Sequence, residues 1–110
     1  MIPTPIERIV ETGIFGVTVD LFRGKDGQLS KVFNQSVGDR SQIFGITFTK
    51  TFHEIPEVTI SLSGIDAGGI WTRIKLNVVD INKTGFRFGV QTWADTKIHG
   101  LAISWIAISL

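Results

Sequence analysis

Residues 57–63 read EVTISLS, and their alternation decides the fold: Val58, Ile60 and Leu62 fall on one face, and Glu57, Thr59, Ser61 and Ser63 on the other. A repeat of two is the signature of an extended chain with one face in a core and one in water. Pro56, which has no amide donor, marks the entry of this strand. Downstream, Ile74, Leu76 and Val78 alternate with Arg73, Lys75, Asn77 and Val79, and Phe86, Phe88 and Val90 alternate with Arg87, Gly89 and Gln91. Turns are expected at Asp66-Ala67-Gly68-Gly69 and at Asn82-Lys83-Thr84-Gly85, where the residue types suit reversals. Upstream, Ile43 to Phe52 sets Phe44, Ile46 and Phe48 on one face, and Arg8 to Asp20 reads as a first strand in which Gly13 and Gly16 permit a bulge or bend.

The last segment, Gly100 to Leu110, is apolar on both faces. Leu101, Ile103 and Trp105 suit the core, which leaves Ala102, Ile106 and Ile108 in need of a second cover. A neighbouring subunit would supply it. No window has a sustained helical repeat with caps, so no helix is expected. Six strands and no helix give an all-β chain, and two stacked antiparallel sheets are the default arrangement. At 110 residues, with no repeat or linker, residues 1–110 read as a single domain.

Composition excludes several functions. Eleven basic and ten acidic side chains, spread along the chain, give a net charge of +1 and no footprint for nucleic acid. No cysteine is present, so disulfides, thiolate metal sites and thiol nucleophiles are excluded. No segment approaches the ~20 apolar residues of a membrane-spanning helix. The amino terminus MIPTPIERIVETGIF does not read as a signal peptide. His53 and His99 lack a second ligand at metal spacing, and Asp66 stands alone among glycines, so no metal and no cofactor are expected. Neither a nucleophile elbow nor a local acid–base pair is visible, and the chain does not read as an enzyme. Hydrophobic residues are 43% of the chain and its mean hydropathy is +0.24, an apolar excess that implies either strands buried on both faces or surface buried against copies of the same chain. Asn34-Gln35-Ser36 and Asn82-Lys83-Thr84 match the N-glycosylation pattern, which matters only in a eukaryotic secretory route.

The segment TWADTKIH, Thr92 to His99, gathers an aromatic, a carboxylate, hydroxyls and basic groups where a strand gives way to a turn. That mixture suits a neutral sugar, whose paired hydroxyls are gripped by charged groups and whose C–H face lies on a ring. The same residues also suit an ordinary β-turn with a half-buried tryptophan. The long polar connection from Asn34 to Ser41 is the other candidate functional loop.

From Phe52 onward, the string F-x-x-x-P-x-V-x-x-x-L-x-x-x-D, then TRIKLNVVDI, TGFRF, TW-x-D-T-K and ISWIAI resembles the H-type lectin domain, the family of snail agglutinins and of the carboxy-terminal domain of discoidins. RIVETG near the start is similar to that family's opening strand. The resemblance implies a six-stranded antiparallel β-sandwich that forms a homotrimer or a stacked pair of trimers. It implies metal-independent binding of galactose-type sugars, often N-acetylgalactosamine, between protomers. It places the sugar-contacting arginine on Arg73, the loop tryptophan on Trp93, the following loop position on Ala94 and the aromatic lining position on His99. The acidic contact of the early loop falls on Asp39, with Gly38 beside it. Ala94 stands where a larger polar side chain is common, and His99 where tyrosine is frequent, so the preferred sugar is left open. Outside the resemblance, Arg73 reads as a solvated edge residue, Trp93 as a half-core residue and His99 as a surface histidine. Trp105 and Phe86 are assigned to the core and Trp71 to an exposed rim.

A multivalent galactose-type lectin, extracellular or on a cell or virion surface, is the first expectation. The rival is a trimeric structural or adhesion component of the tail-fibre kind with little or no sugar binding.

Overall fold

The computed structural model describes residues 8–19 and 26–109. Two sheets face each other. One carries β1 (Ile9–Thr18), β2 (Gly27–Gln28), β4 (Glu57–Gly68) and β7 (Lys97–Ser109) in the order β2-β1-β7-β4. The other carries β3 (Arg40–Thr47), β5 (Lys75–Ile81) and β6 (Gly85–Thr92) in the order β3-β6-β5. Six long strands pair antiparallel, and the two-residue β2 adds a parallel edge to β1. This is the expected antiparallel β-sandwich.

The core is aromatic because alternate positions on facing strands point inward. Phe44, Phe86, Phe88 and Trp105 are buried as their periodicity requires. Phe15, Phe44 and Phe88 meet with ring centroids 5.6 Å apart, and Phe86 meets Trp105 edge-on at 5.5 Å. On β7, Leu101, Ile103, Trp105 and Ala107 are buried while Ala102, Ser104, Ile106 and Ile108 face outward and are half-buried. Across the outer face of the same sheet, Val10 lies opposite Ile108 and Ile14 opposite Ser104. These two β1 side chains are 51% and 65% exposed, so the face that needed a second cover finds none among the described residues.

Several local expectations are corrected. Gly13 and Gly16 make no bulge, since β1 pairs with β7 in unbroken register from Ile9–Ser109 to Thr18–Gly100. Gly13 serves a close approach instead: a Cβ there would sit 2.7 Å from the Trp105 indole. The irregularities lie on the opposite edge, where β4 shifts register between Leu62 and Gly64 and between Asp66 and Ala67. The turn expected at Asp66–Gly69 is therefore mostly strand, because β4 uses its bulges to run on to Gly68 beside Lys97. The second strand is Arg40–Thr47 rather than Ile43–Phe52, although Phe48 and Phe52 remain buried beyond its end. The last strand begins three residues earlier than expected, at Lys97, and Leu110 lies outside the described residues, as does Asp20. One helical turn, α1 (Val32–Gln35), interrupts the segment expected to be wholly non-helical. Four residues are too few to show a helical repeat, and α1 is held by packing Phe33 into the core.

Candidate functional site

The residues singled out in the sequence gather where β3, β5 and β7 begin and β6 ends. Trp93 to Thr96 form the turn from β6 into β7. Ala94 holds this turn in the left-handed region at φ 58°, a conformation that costs a non-glycine residue free energy. The Gly38 amide, itself at φ 84°, donates to the Ala94 carbonyl oxygen at 2.8 Å, which joins the early loop to this turn. Asp39 follows directly and is exposed.

Arg40 ties the two loops together. Although only 6% exposed, its guanidinium donates to the carbonyl oxygens of Gly38 at 2.8 Å, Phe33 at 3.1 Å and Ala94 at 3.0 Å. A buried cation is tolerable only when its donors are satisfied, and here they converge on the carbonyl oxygens of three separate loop residues, of which Ala94 also accepts from the Gly38 amide. Lys97 adds a further tie, donating from Nζ to the Ser36 carbonyl oxygen at 2.8 Å.

Arg73 is held from the other side by two fully buried threonines. The Thr92 hydroxyl donates to the Arg73 carbonyl oxygen at 2.5 Å, and the Arg73 amide donates to Thr96 Oγ1 at 3.2 Å. Thr96 Oγ1 in turn donates to the Trp71 carbonyl oxygen at 2.7 Å. The Arg73 guanidinium extends along the turn and donates from Nη1 to Asp95 Oδ1 at 2.7 Å and to Thr96 Oγ1 at 3.3 Å. Trp93 is 37% exposed and Trp71 66% exposed, so the site has aromatic surface at its rim.

His99 is exposed on β7, with Nδ1 3.4 Å from the Asn34 Nδ2 amide in α1. Asn34, the first sequon residue, is thus engaged through its amide nitrogen. In all, Gly38 and Ala94 are brought into contact, Asp39 adjoins Gly38, and Arg73 and Trp93 flank the same turn, while His99 belongs to the α1 side. Sequence reasoning missed Arg40, Asp95 and the threonine pair. The TW-x-D-T-K string contains the last three, but only the fold shows that Thr92 and Thr96 grip Arg73. Nothing in the alternation around Arg40 marked it as buried.

Among the described residues no three His, Asp or Glu side chains cluster as metal ligands. Surface concavities among the described residues lie elsewhere, beside Arg8 and Glu54, between Gly45 and Arg87, and over Gly16, Gly64 and Gly100. No helix among the described residues is long and apolar enough to cross a membrane.

Two facing sheets that present hydrogen-bonding loops and an exposed tryptophan at one end define a β-sandwich binding domain. The chain belongs to the H-type lectin domain family, whose sequence profile matches residues 43–108. It is 32% identical over 72 residues to the protein named "ATP synthase subunits region ORF 7" of Fuscovulum blasticum, a match covering 64% of this chain and 63% of that one. Two solved structures of discoidin II of Dictyostelium discoideum share the fold. The recombinant protein superposes with a TM-score of 0.75 at 20% identity over 96% of this chain, and the wild-type protein with 0.77 at 19% identity over all of it. The chain spans 40% of each discoidin II structure and under two thirds of the Fuscovulum protein.

Proposed function

We propose that this chain, as one lectin domain, binds terminal galactose or N-acetylgalactosamine on cell-surface glycans, and does so without a metal or cofactor and as a binding protein rather than an enzyme. In this reading Arg73 and Asp39 grip sugar hydroxyls, Gly38 and Ala94 shape the loops between them, and Trp93 and His99 line the pocket. The observation that carries it is the convergence of the Gly38–Asp39 loop and the Trp93–Thr96 turn, locked by the Gly38–Ala94 hydrogen bond and by Arg40. A small polar ligand is best held by donors and acceptors fixed before it arrives, because their ordering is then no cost of binding.

The uncovered outer face of the four-stranded sheet supports assembly into a homotrimer, or a pair of trimers, with the site completed between neighbours. Single sites for a neutral monosaccharide are weak, and several on one particle supply the avidity that a glycan-coated surface requires. Titration calorimetry with N-acetylgalactosamine, on the wild type and on Arg73→Ala, tests the reading. Binding by the wild type that is lost in the variant supports it. Equal binding by both overturns the site assignment, and a stable trimer indifferent to every galactose-type sugar favours the structural rival.

A further inference from the structure

The geometry points to Asp95 as a charge filter that restricts the site to neutral sugars and turns away those carrying a carboxylate. This inference rests on the lectin reading and names the class of ligand the site accepts.

The argument begins with Arg73. A lone arginine in a carbohydrate cleft attracts anions, since its planar donor fork matches a carboxylate in two places at once. Here the fork is already partly occupied. Nη1 donates to Asp95 Oδ1 at 2.7 Å and to Thr96 Oγ1 at 3.3 Å, and Thr96 is fully buried and fixed by its own bond to the Trp71 carbonyl oxygen. The arginine is therefore neutralised by a carboxylate two residues after Trp93, and oriented by a hydroxyl that cannot move away.

What remains unpaired is a mixed edge. Among the described residues, Arg73 Nη2 and Nε donate to no neighbour and Asp95 Oδ2 accepts from none, so the arginine keeps free donors and the aspartate a free acceptor. A hydroxyl both donates and accepts, so a neutral polyol satisfies donor and acceptor together. A carboxylate only accepts. To use the fork it must come up against Asp95, and the exposed Asp39 on the adjoining loop adds a second negative charge at the same end.

Asp95 is 56% exposed and Arg73 25% exposed, so the filter is screened by salt. That dependence gives a test on the unmodified protein. The probes are galactose and galacturonic acid, which share a ring and differ at C6, a neutral hydroxymethyl in the first and a carboxylate in the second. Calorimetric titration of the wild type at low ionic strength is expected to show galactose bound at least about tenfold more tightly. The ratio narrows as salt is raised to about 0.3 M. In Asp95→Asn, which keeps the shape and removes the charge, the ratio falls towards one or inverts, while Asp95→Glu retains the preference.

Wild-type protein that binds both sugars equally, or a ratio that neither salt nor Asp95→Asn changes, overturns the filter while leaving the lectin reading standing. Wild-type protein that binds neither of these sugars, nor N-acetylgalactosamine, overturns both.

Discussion

Arg40 Nη2 donates to the carbonyl oxygen of Ala94 at 3.0 Å, fifty-four residues away in sequence, while Nε of the same side chain donates to Gly38. A single buried cation thus joins, alongside the Gly38–Ala94 hydrogen bond, the two loops of the proposed sugar site. Arg40→Met keeps much of the aliphatic volume but removes the side-chain donor from the Gly38, Phe33 and Ala94 carbonyl oxygens, of which, among the described residues, Ala94 alone keeps a second donor in the Gly38 amide. The expected loss is about 2–4 kcal/mol, since hydrogen bonds to charged groups are among the stronger ones and their removal strands buried acceptors. Urea denaturation of the variant checks this, and a loss below about 1 kcal/mol would show that the carbonyls find other donors.

Arg40 also shows where sequence reading stops. The sheets were legible because alternation at Val58–Leu62, Phe86–Val90 and Leu101–Trp105 reports which face is buried, and that signal is local. The candidate loops, Thr92 to His99 and Asn34 to Ser41, were legible from their residue mixture, whereas Arg73 and the individual roles proposed for Trp93 and His99 came only from family likeness. Arg40 sits at the head of a strand whose hydrophobic pattern starts later, and its burial depends on carbonyls from α1 and the β6–β7 turn. Such a partnership between distant segments leaves no periodic trace. The bulges of β4 were invisible for a related reason: its apolar alternation ends at Leu62, but pairing with β7 carries the strand on to Gly68.

Ala94 at φ 58° holds a conformation in which a Cβ crowds the backbone. Ala94→Gly removes the crowding but frees the unfolded chain, so the two effects offset and stability changes by less than about 1 kcal/mol. Ala94→Val adds β-branching to the same position and is expected to destabilise by about 1–3 kcal/mol. Paired thermal melts of the two variants distinguish a constrained turn from a tolerant one.

Gly13 faces Trp105 across the β1–β7 pair, with an added Cβ placed 2.7 Å from the indole ring atoms. Backbone contacts from a continuous register leave little room for β1 to retreat. Gly13→Ala is expected to cost about 1–3 kcal/mol through overpacking. A shifted thermal midpoint and an altered near-ultraviolet signal from the displaced indole would register it; an unchanged midpoint would mean that the ring swings aside freely.

Asp80 and Arg87 lie opposite each other at the β5–β6 bulge and form a two-pronged ion pair. The hydrogen bond from Arg87 holds the Asp80 carboxyl below its ordinary value. The sign follows directly: a carboxyl depressed in the folded state stabilises above its unfolded pKa, about 3.9, and loses that contribution as pH falls through the folded value. Melting of wild type and Asp80→Asn should therefore differ at pH 6 and converge towards pH 2. The difference at pH 6 should be small and should shrink with added salt, because both side chains of the pair are exposed to solvent.

Ile14 is 65% exposed and points away from the core, on a face that also carries Val10, Ile106 and Ile108. In an isolated protomer Ile14→Glu would be nearly silent, because substitutions at exposed positions usually change stability by no more than about 0.5 kcal/mol. If three protomers bury this face against one another, the same change places a charge in a desolvated contact, at a cost far above that. Sedimentation of the wild type at the mass of three chains, with Ile14→Glu dissociating while its far-ultraviolet spectrum keeps the sheet signature, is the expected outcome. A wild type that sediments as a single chain at all concentrations removes the trimer, and with it the proposal that a neighbouring protomer closes the site.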